Sequence, residues 1–180
     1  MDSEKNVIAV RENRKRRFTA AKMLADREIP VDLTWQQLLT LPEWFYWSDS
    51  VRQRLINICG ALFIVPLIRS WIDGKKINEV RKYLSKAEFE MVITQNIELV
   101  SDNQNDVPRG SIQDTLTNSG ATVLVSACNE SNKLITREIF KMNQNEISHS
   151  IAVAILNRAC QIIRKVDIGN SQSAQQGEQV

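Results

Sequence analysis

The chain has 180 residues, 43% of them hydrophobic and 24% charged, a composition that excludes an intrinsically disordered protein. A folded domain of this size buries about two-thirds of its unfolded surface, so a substantial core is expected. The 23 Lys and Arg residues nearly balance the 21 Asp and Glu residues, which excludes a strong overall charge that would favour nucleic acid or an acidic membrane.

The first predicted element is an amphipathic helix from about Arg11 to Arg27, opened by the basic run RENRKRR at 11–17. Pro30 ends this helix, so residues 1–30 are predicted to form a basic, partly helical N-terminal segment. Thr34 is a candidate cap for a short helix that ends near Pro42.

The next elements are two helices predicted from Ser50 to Val65 and from Leu67 to Asp73. Ser50 and Gln53 have the spacing of a capping box, and Pro66 breaks the helical hydrogen-bond pattern. Gly74 is predicted to be the left-handed residue that ends the second helix. The apolar run within this region is too short to cross a membrane, so a buried core helix is the better interpretation.

Five further helices are predicted after Gly74. A stripe of Ile77, Val80 and Leu84 predicts a short helix, and a capping box of Ser85 and Glu88 introduces the next. After a loop from Ser101 to Gly110, Ser111 caps a helix to about Cys128. Two more apolar stripes predict helices that contain Leu134, Ile135, Ile139 and Met142, and then Ile151, Ile155, Leu156, Ala159, Ile162 and Ile163.

These patterns predict an all-α fold, a compact multi-helix domain over residues 31–168. Only Thr122 to Val125 has the composition of a strand, and that segment is short. The polar tail from Gly169 to Val180 is predicted to be disordered, because it has almost no apolar surface to bury.

The sequence contains no credible catalytic or metal site, and no cofactor is predicted. His149 is the only histidine, and Cys59, Cys128 and Cys160 are too scattered for zinc-ligand spacing. Phosphate-binding loops of the GxxxxGK[ST] and GxGxxG types are missing. Three scattered cysteines and an N-terminus without an apolar signal region favour free thiols in the cytosol. We therefore expect a protein that is not an enzyme and acts by binding other proteins.

The aromatic residues are the strongest candidates for a binding surface. Trp44, Phe45, Tyr46 and Trp47 are consecutive, so neither a helix nor a strand can point all four inward. Exposed Trp and Arg residues are common anchors of protein interfaces, which makes Trp44, Phe45, Trp47 and the nearby Arg52 candidate contacts. The alternative is that the aromatic residues simply form the core.

Several short segments resemble one family of bacterial secretion proteins. They are Leu41-Pro42-Glu43-Trp44, Arg54-Leu55, Cys59 to Phe63, Ile68-Arg69, Ile72-Asp73-Gly74, Ile112-Gln113 and Ser119-Gly120-Ala121. The pattern, from about Leu41 to Val166, is similar to the K-component (SctK, YscK) family of type III secretion systems. The N-terminal forty residues depart from the family's usual aromatic-rich opening.

The resemblance implies a non-enzymatic adaptor of the secretion sorting platform, located in the cytoplasm at the inner-membrane face of the apparatus. Its partners would be the pod protein (SctQ type) and the cytoplasmic domain of the inner-membrane ring protein (SctD type), with no cofactor. The resemblance also implies that Gly60 and Ala61 lie at a close helix crossing, and that Arg69 and Trp71 border a contact face. The alternative is that this whole segment is core.

A second function remains open at the basic run from Arg11 to Arg17, which could contact the phosphates of nucleic acid. A small helical nucleic-acid-binding regulator is therefore the alternative to the adaptor. The nearly balanced total charge and the absence of a known reading module favour a solvated helix face over nucleic-acid binding.

Overall fold

The fold was examined in a computed structural model, which describes residues 14, 15, 17–19, 21, 22, 25, 40–95, 110–141 and 147–177, with side chains up to residue 169. Within these residues the structure is helical and contains no strand, which confirms the all-α class. A short 3-10 helix spans Glu43–Tyr46. The α-helices that follow are α1 (Asp49–Phe63), α2 (Val65–Ser70), α3 (Gly74–Val80), α4 (Lys86–Ile93), α5 (Ile112–Ser126), α6 (Glu130–Phe140) and α7 (His149–Gly177).

The described residues from 40 onward fall into two compact units. The first unit contains residues 40–52 and 128–141, and the second contains residues 53–95, 110–127 and 147–177. The boundary lies inside α1, between Arg52 and Gln53. The first unit is therefore built from two stretches that are far apart in the sequence.

Helix α1 begins earlier than the predicted capping box. The backbone N–H of Arg52 donates to the Ser48 carbonyl at 2.9 Å, and the Ser48 hydroxyl lies 3.5 Å from the N–H of Val51. The predicted box of Ser50 and Gln53 is wrong, since Ser50 is already helical and the Gln53 amide donates to Asn57 at 3.1 Å. Ser48 precedes the helix and is its cap.

The break after α1 also differs from the prediction. The helix ends at Phe63, and Pro66 lies in the first turn of α2, where its missing N–H is not needed. Gly74 does not end α2 as a left-handed cap; it is the first residue of α3. Asp73 caps α3 instead, because its carboxylate accepts the backbone N–H of Lys75 at 2.8 Å. This N-terminal cap explains why the predicted C-terminal cap at Gly74 is wrong.

Two predicted caps in the second unit are confirmed. Ser85 and Glu88 form a reciprocal capping box at the start of α4. The Ser111 hydroxyl accepts the backbone N–H of Asp114 at the start of α5. The candidate strand from Thr122 to Val125 is a buried part of α5, so its branched residues serve helix packing.

The close helix crossing at Gly60 is confirmed. A Cβ atom added to Gly60 would lie 2.1 Å from the backbone oxygen of Leu116 in α5, and one added to Gly120 would lie 2.0 Å from that of Ile56 in α1. Each helix therefore presents a glycine to the backbone of the other. Ala61 beside Gly60 is fully buried. No larger residue fits at either glycine unless the backbones move apart.

An ionic group with one buried carboxylate connects three helices of the second unit. Glu88 in α4 is 2% exposed and pairs with Arg54 in α1, which also donates to Asp167 in α7 at 2.7 Å. Burial lowers the pKa of the Arg54 guanidinium, but its hydrogen bonds to Asp167 and Glu88 outweigh burial and raise that pKa. Helix α7 packs against α4 and α5, so these charges fix one side of its packing.

Helix α7 is the longest of the described helices, and its backbone is helical through Gly177. Extending a helix that is already formed adds one hydrogen bond for each residue fixed, so even a polar sequence can continue it. Within the described residues no helix combines the length and hydrophobicity needed to cross a membrane.

Candidate partner-binding site

The aromatic run is mostly interior to the first unit. Trp44 is 4% exposed and Phe45 is 1% exposed, while Tyr46 and Trp47 are half-buried. The Trp44 ring stacks on Phe140 of α6 with their centroids 6.3 Å apart. The 3-10 helix turns Trp44 and Phe45 inward, so neither of these two predicted contact residues offers an exposed surface.

Arg52 is buried beside this run and has structural partners. Its guanidinium donates to the carbonyl of Phe45 at 3.0 Å and to that of Trp47 at 3.3 Å. It also pairs with the Asp49 carboxylate. A buried Arg needs acceptors for its five N–H groups, and the two carbonyls and the carboxylate supply them. Because Arg52 lies in the first turn of α1 and the two carbonyls lie at the end of the 3-10 helix, the bonds hold these two segments together. Among the four predicted site residues of this unit, only Trp47 keeps a partly exposed side chain.

The other two predicted contacts, Arg69 and Trp71, lie in the second unit at the junction of α2 and α3. Arg69 is exposed and Trp71 is half-buried. Between them and α3 lies Ile72, whose side chain is 100% exposed. We call the group of Arg69, Trp71, Ile72, Lys75 and Lys76 the α2–α3 corner. The structure therefore brings together two of the six predicted site residues on an accessible surface.

Hydrogen bonds hold the corner to the end of α4. The Arg69 guanidinium donates to the carbonyl of Ile93 at 3.1 Å and to that of Gln95 at 2.6 Å. The amide side chain of Gln95 is in turn bound by Arg158 of α7. These carbonyls lie at the C-terminus of α4, where a positive charge is favoured by the helix dipole. The Arg69 guanidinium is thus held in place at the end of α4.

The corner combines an apolar tip with a basic border. The Lys76 ammonium lies 5.8 Å from the centre of the Trp71 ring, and Lys75 is exposed beside it. Asp73 is the acidic residue inside this segment, and its carboxylate is engaged as the cap of α3. A complementary partner surface would present an apolar pocket for Ile72 and carboxylates for the surrounding cations.

The residue that the sequence analysis missed is Ile72. The sequence placed Ile72 in a segment that resembles the K-component family, but the predicted border of the contact face was Arg69 and Trp71. The signal that could have identified it is its position between Trp71 and the capping residue Asp73, since a residue between two helices has no helical neighbours to cover it.

A separate cleft of about 340 Å³ opens in the second unit between α1, the α3–α4 connection and α5. Side-chain amides and hydroxyls dominate its lining, which consists of Gln53, Asn57, Tyr83, Gln113, Asp114, Thr117 and Asn118. None of the lining residues was predicted to be a binding residue, although Gln53 was assigned to a capping box and Gln113 to a segment that resembles the K-component family.

Among the described residues, no group of three or more His, Cys, Asp or Glu side chains is arranged to hold a metal ion. His149 starts α7, and its Nδ1 lies 2.8 Å from the carbonyl oxygen of Ser126. Cys59, Cys128 and Cys160 form no disulfide. Burial raises the pKa of the Cys59 thiol well above its usual value and also raises that of Cys128. Both thiols therefore stay protonated and unreactive near neutral pH.

We expect the three cysteines to react at different rates. Brief treatment of the folded protein with N-ethylmaleimide at neutral pH should label half-buried Cys160 and leave Cys59 and Cys128 largely unmodified. Peptide mapping by mass spectrometry measures the site of labelling, and the same reaction in denaturant should modify all three. Equal labelling of Cys59 and Cys160 in the folded protein would contradict the packing of α1.

Comparisons with known proteins identify no relative: no family model, no curated protein and no solved structure matches the chain.

Proposed function

We propose that the protein is a non-enzymatic cytoplasmic adaptor of a type III secretion sorting platform. In this role it links a pod protein of the SctQ type to the cytoplasmic domain of an inner-membrane ring protein of the SctD type, in support of protein secretion. The resemblance of its segments to the K-component family motivates the proposal. The observation that supports it best is the fully exposed Ile72 beside Trp71, inside one of those segments.

An adaptor needs an accessible surface that gains energy when a partner covers it. Covering the side chain of one large aliphatic residue contributes about 1.5–3 kcal/mol, because its apolar surface leaves water. Trp71 adds a large, rigid contact area, and Arg69, Lys75 and Lys76 surround the apolar tip with positive charge. Arg69 is held by backbone carbonyls at the end of α4, so its side chain needs little ordering on binding.

Replacing Ile72 with Asp should abolish binding to one of the two platform partners and leave the fold intact. The side chain has no contacts to lose, whereas a carboxylate would face the apolar pocket of the partner. We expect a loss of affinity of at least about tenfold, or 1.4 kcal/mol. Co-purification with the pod protein and with the ring domain measures binding, and a thermal melt measures stability.

The matched control for this variant is Leu134→Asp. Leu134 is also an exposed aliphatic residue, but it lies on α6 in the first unit. The Leu134→Asp variant should bind both partners as the unmodified protein does. Unchanged binding of both partners by Ile72→Asp would remove the corner from the interface, and equal loss in both variants would show a nonspecific effect of added charge.

The alternative function at the basic run makes a distinct prediction about salt. Among the residues of that run, Arg14, Lys15 and Arg17 are described, and they are helical and exposed. Binding to nucleic acid through this run should weaken steeply with salt, because phosphate contacts release counterions. Specific capture of the two platform proteins at physiological salt, with no such nucleic-acid binding, favours the adaptor.

A further inference from the structure

We propose that the polar cleft of the second unit is a receptor site for an arginine side chain of a partner protein. This inference does not depend on the adaptor proposal, because it concerns a different surface and requires no particular partner identity.

The charge of the cleft selects the class of ligand. Asp114 carries the only formal charge among its seven lining residues, and none of them is a Lys, Arg or His. Phosphates and carboxylates would therefore meet a negative charge with no counter-charge from the lining. A cation or a neutral polar group is favoured.

The hydrogen bonds within the cleft leave acceptors available. The Gln53 amide donates to Asn57 at 3.1 Å, the Asn57 amide donates to the Tyr83 carbonyl at 3.3 Å, and the Tyr83 hydroxyl lies 3.3 Å from the side-chain oxygen of Gln113. The bond between Tyr83 and Gln113 joins the α3–α4 connection to α5. The Gln53 side chain also carries a carbonyl oxygen, which can accept a hydrogen bond.

Helix α5, which includes Gln113, contributes the rest of the lining. One oxygen of Asp114 accepts the Ser111 hydroxyl at 2.7 Å, which leaves the other carboxylate oxygen for a ligand. Thr117 and Asn118 follow along the same helix and add a hydroxyl and an amide. Asp114, Thr117 and Asn118 lie three and four residues apart, so their side chains lie on one face of α5.

A guanidinium group fits this set of acceptors better than an ammonium group does. Arg carries five N–H donors in a planar fork and no acceptor, so it can bind a carboxylate and neighbouring amide oxygens at the same time. The cleft volume of about 340 Å³ lies near the lower end of ligand pockets, which suits one long side chain.

The test uses capped arginine, N-acetyl-arginine-N-methylamide, and the full chain labelled with ¹⁵N. Carboxamide groups give their own NMR signals, so the lining residues Gln53, Asn57, Gln113 and Asn118 report directly on the cleft. We expect saturable shifts that are largest at these four amides. Capped citrulline, which has a neutral group of nearly the same shape, should bind at least about tenfold more weakly.

Asp114→Asn should reduce the affinity for capped arginine by at least about tenfold, because the countercharge is lost and the shape is kept. Glu90→Gln is the matched control, since Glu90 is an exposed acid outside the cleft lining. If Asp114→Asn disturbs the start of α5, Asn118→Leu tests the same lining without changing a charge.

Several results would overturn the proposal. Equal shifts with capped citrulline would show recognition of the peptide main chain, and equal affinity of Asp114→Asn and the unmodified protein would show that the charge plays no part. The absence of saturable shifts at the four amides, or full retention of binding in Asn118→Leu, would show that the cleft is not the site.

Discussion

We expect Gly60→Ala to lower the free energy of unfolding by more than about 3 kcal/mol, because the new methyl group would overlap the backbone of α5. Its Cβ would lie 2.1 Å from the carbonyl oxygen of Leu116, and 2.8 Å from the carbonyl carbon. A flexible side chain could rotate away from such an overlap, but the backbone of α5 cannot do so without moving the helix. Gly120→Ala should have a similar effect, since its Cβ would lie 2.0 Å from the oxygen of Ile56.

Urea denaturation and a thermal melt measure this loss, which corresponds to a fall in melting temperature of roughly 6 °C or more for a chain of this size. Gly74→Ala is the control, because nothing lies within 4 Å of its added Cβ and its φ is not positive. Gly74→Ala should leave the free energy of unfolding unchanged or raise it by about 0.4–1 kcal/mol, because alanine lowers the conformational entropy of the unfolded chain. A Gly60→Ala protein that melts like the unmodified chain would rule out the close crossing of α1 and α5.

The features that the sequence predicted well depend on neighbours within a few residues. Ser85 and Glu88 cap α4 because each side chain reaches a backbone N–H three residues away. Ser111 caps α5 for the same reason. The apolar stripe of α7 is also local, and its central residues Ile155, Ala159 and Ile162 are buried as predicted.

The features that were predicted incorrectly involve residues that can take either of two roles in local structure. Gly74 is suited to ending a helix, but Asp73 before it is equally suited to starting one, and the start prevails. Pro66 is excluded from a helix interior but is accepted in a first turn, so the break falls at Ile64. Sequence alone does not show which of two acceptable roles a residue will take.

The candidate site was the hardest part to predict, because burial depends on residues that are distant in the chain. Trp44 is stacked by Phe140, and the Thr40 carbonyl accepts the amide of Asn132 at 2.7 Å. These contacts join segments almost a hundred residues apart and turn the aromatic run inward. At Arg69 and Trp71 the candidate contacts do reach an accessible surface, and the apolar tip at Ile72 is the part that was missed.

Trp44→Ala should be the most damaging change at the aromatic run, with a loss of about 3–5 kcal/mol in the free energy of unfolding. Removing this ring leaves a cavity beside Phe45 and Phe140, whose rings contact it in the first unit. Trp47→Ala should cost much less, because Trp47 is half-buried. Urea denaturation of the two variants measures the difference.

Trp44→Phe separates the packing of the ring from the function of its N–H group. Among the described residues, Trp44 Nε1 is buried without a hydrogen-bond partner, so replacing the indole with a phenyl ring removes an unsatisfied donor together with some volume. The stacking on Phe140 can be retained, and we expect a loss below about 2 kcal/mol. If the ring is purely structural, both Trp44 variants will bind the platform partners normally once the measurement is made on folded protein. If a stable, folded Trp44→Phe protein instead fails to bind a platform partner, the indole N–H takes part in the interface. The aromatic run would then belong to the binding surface.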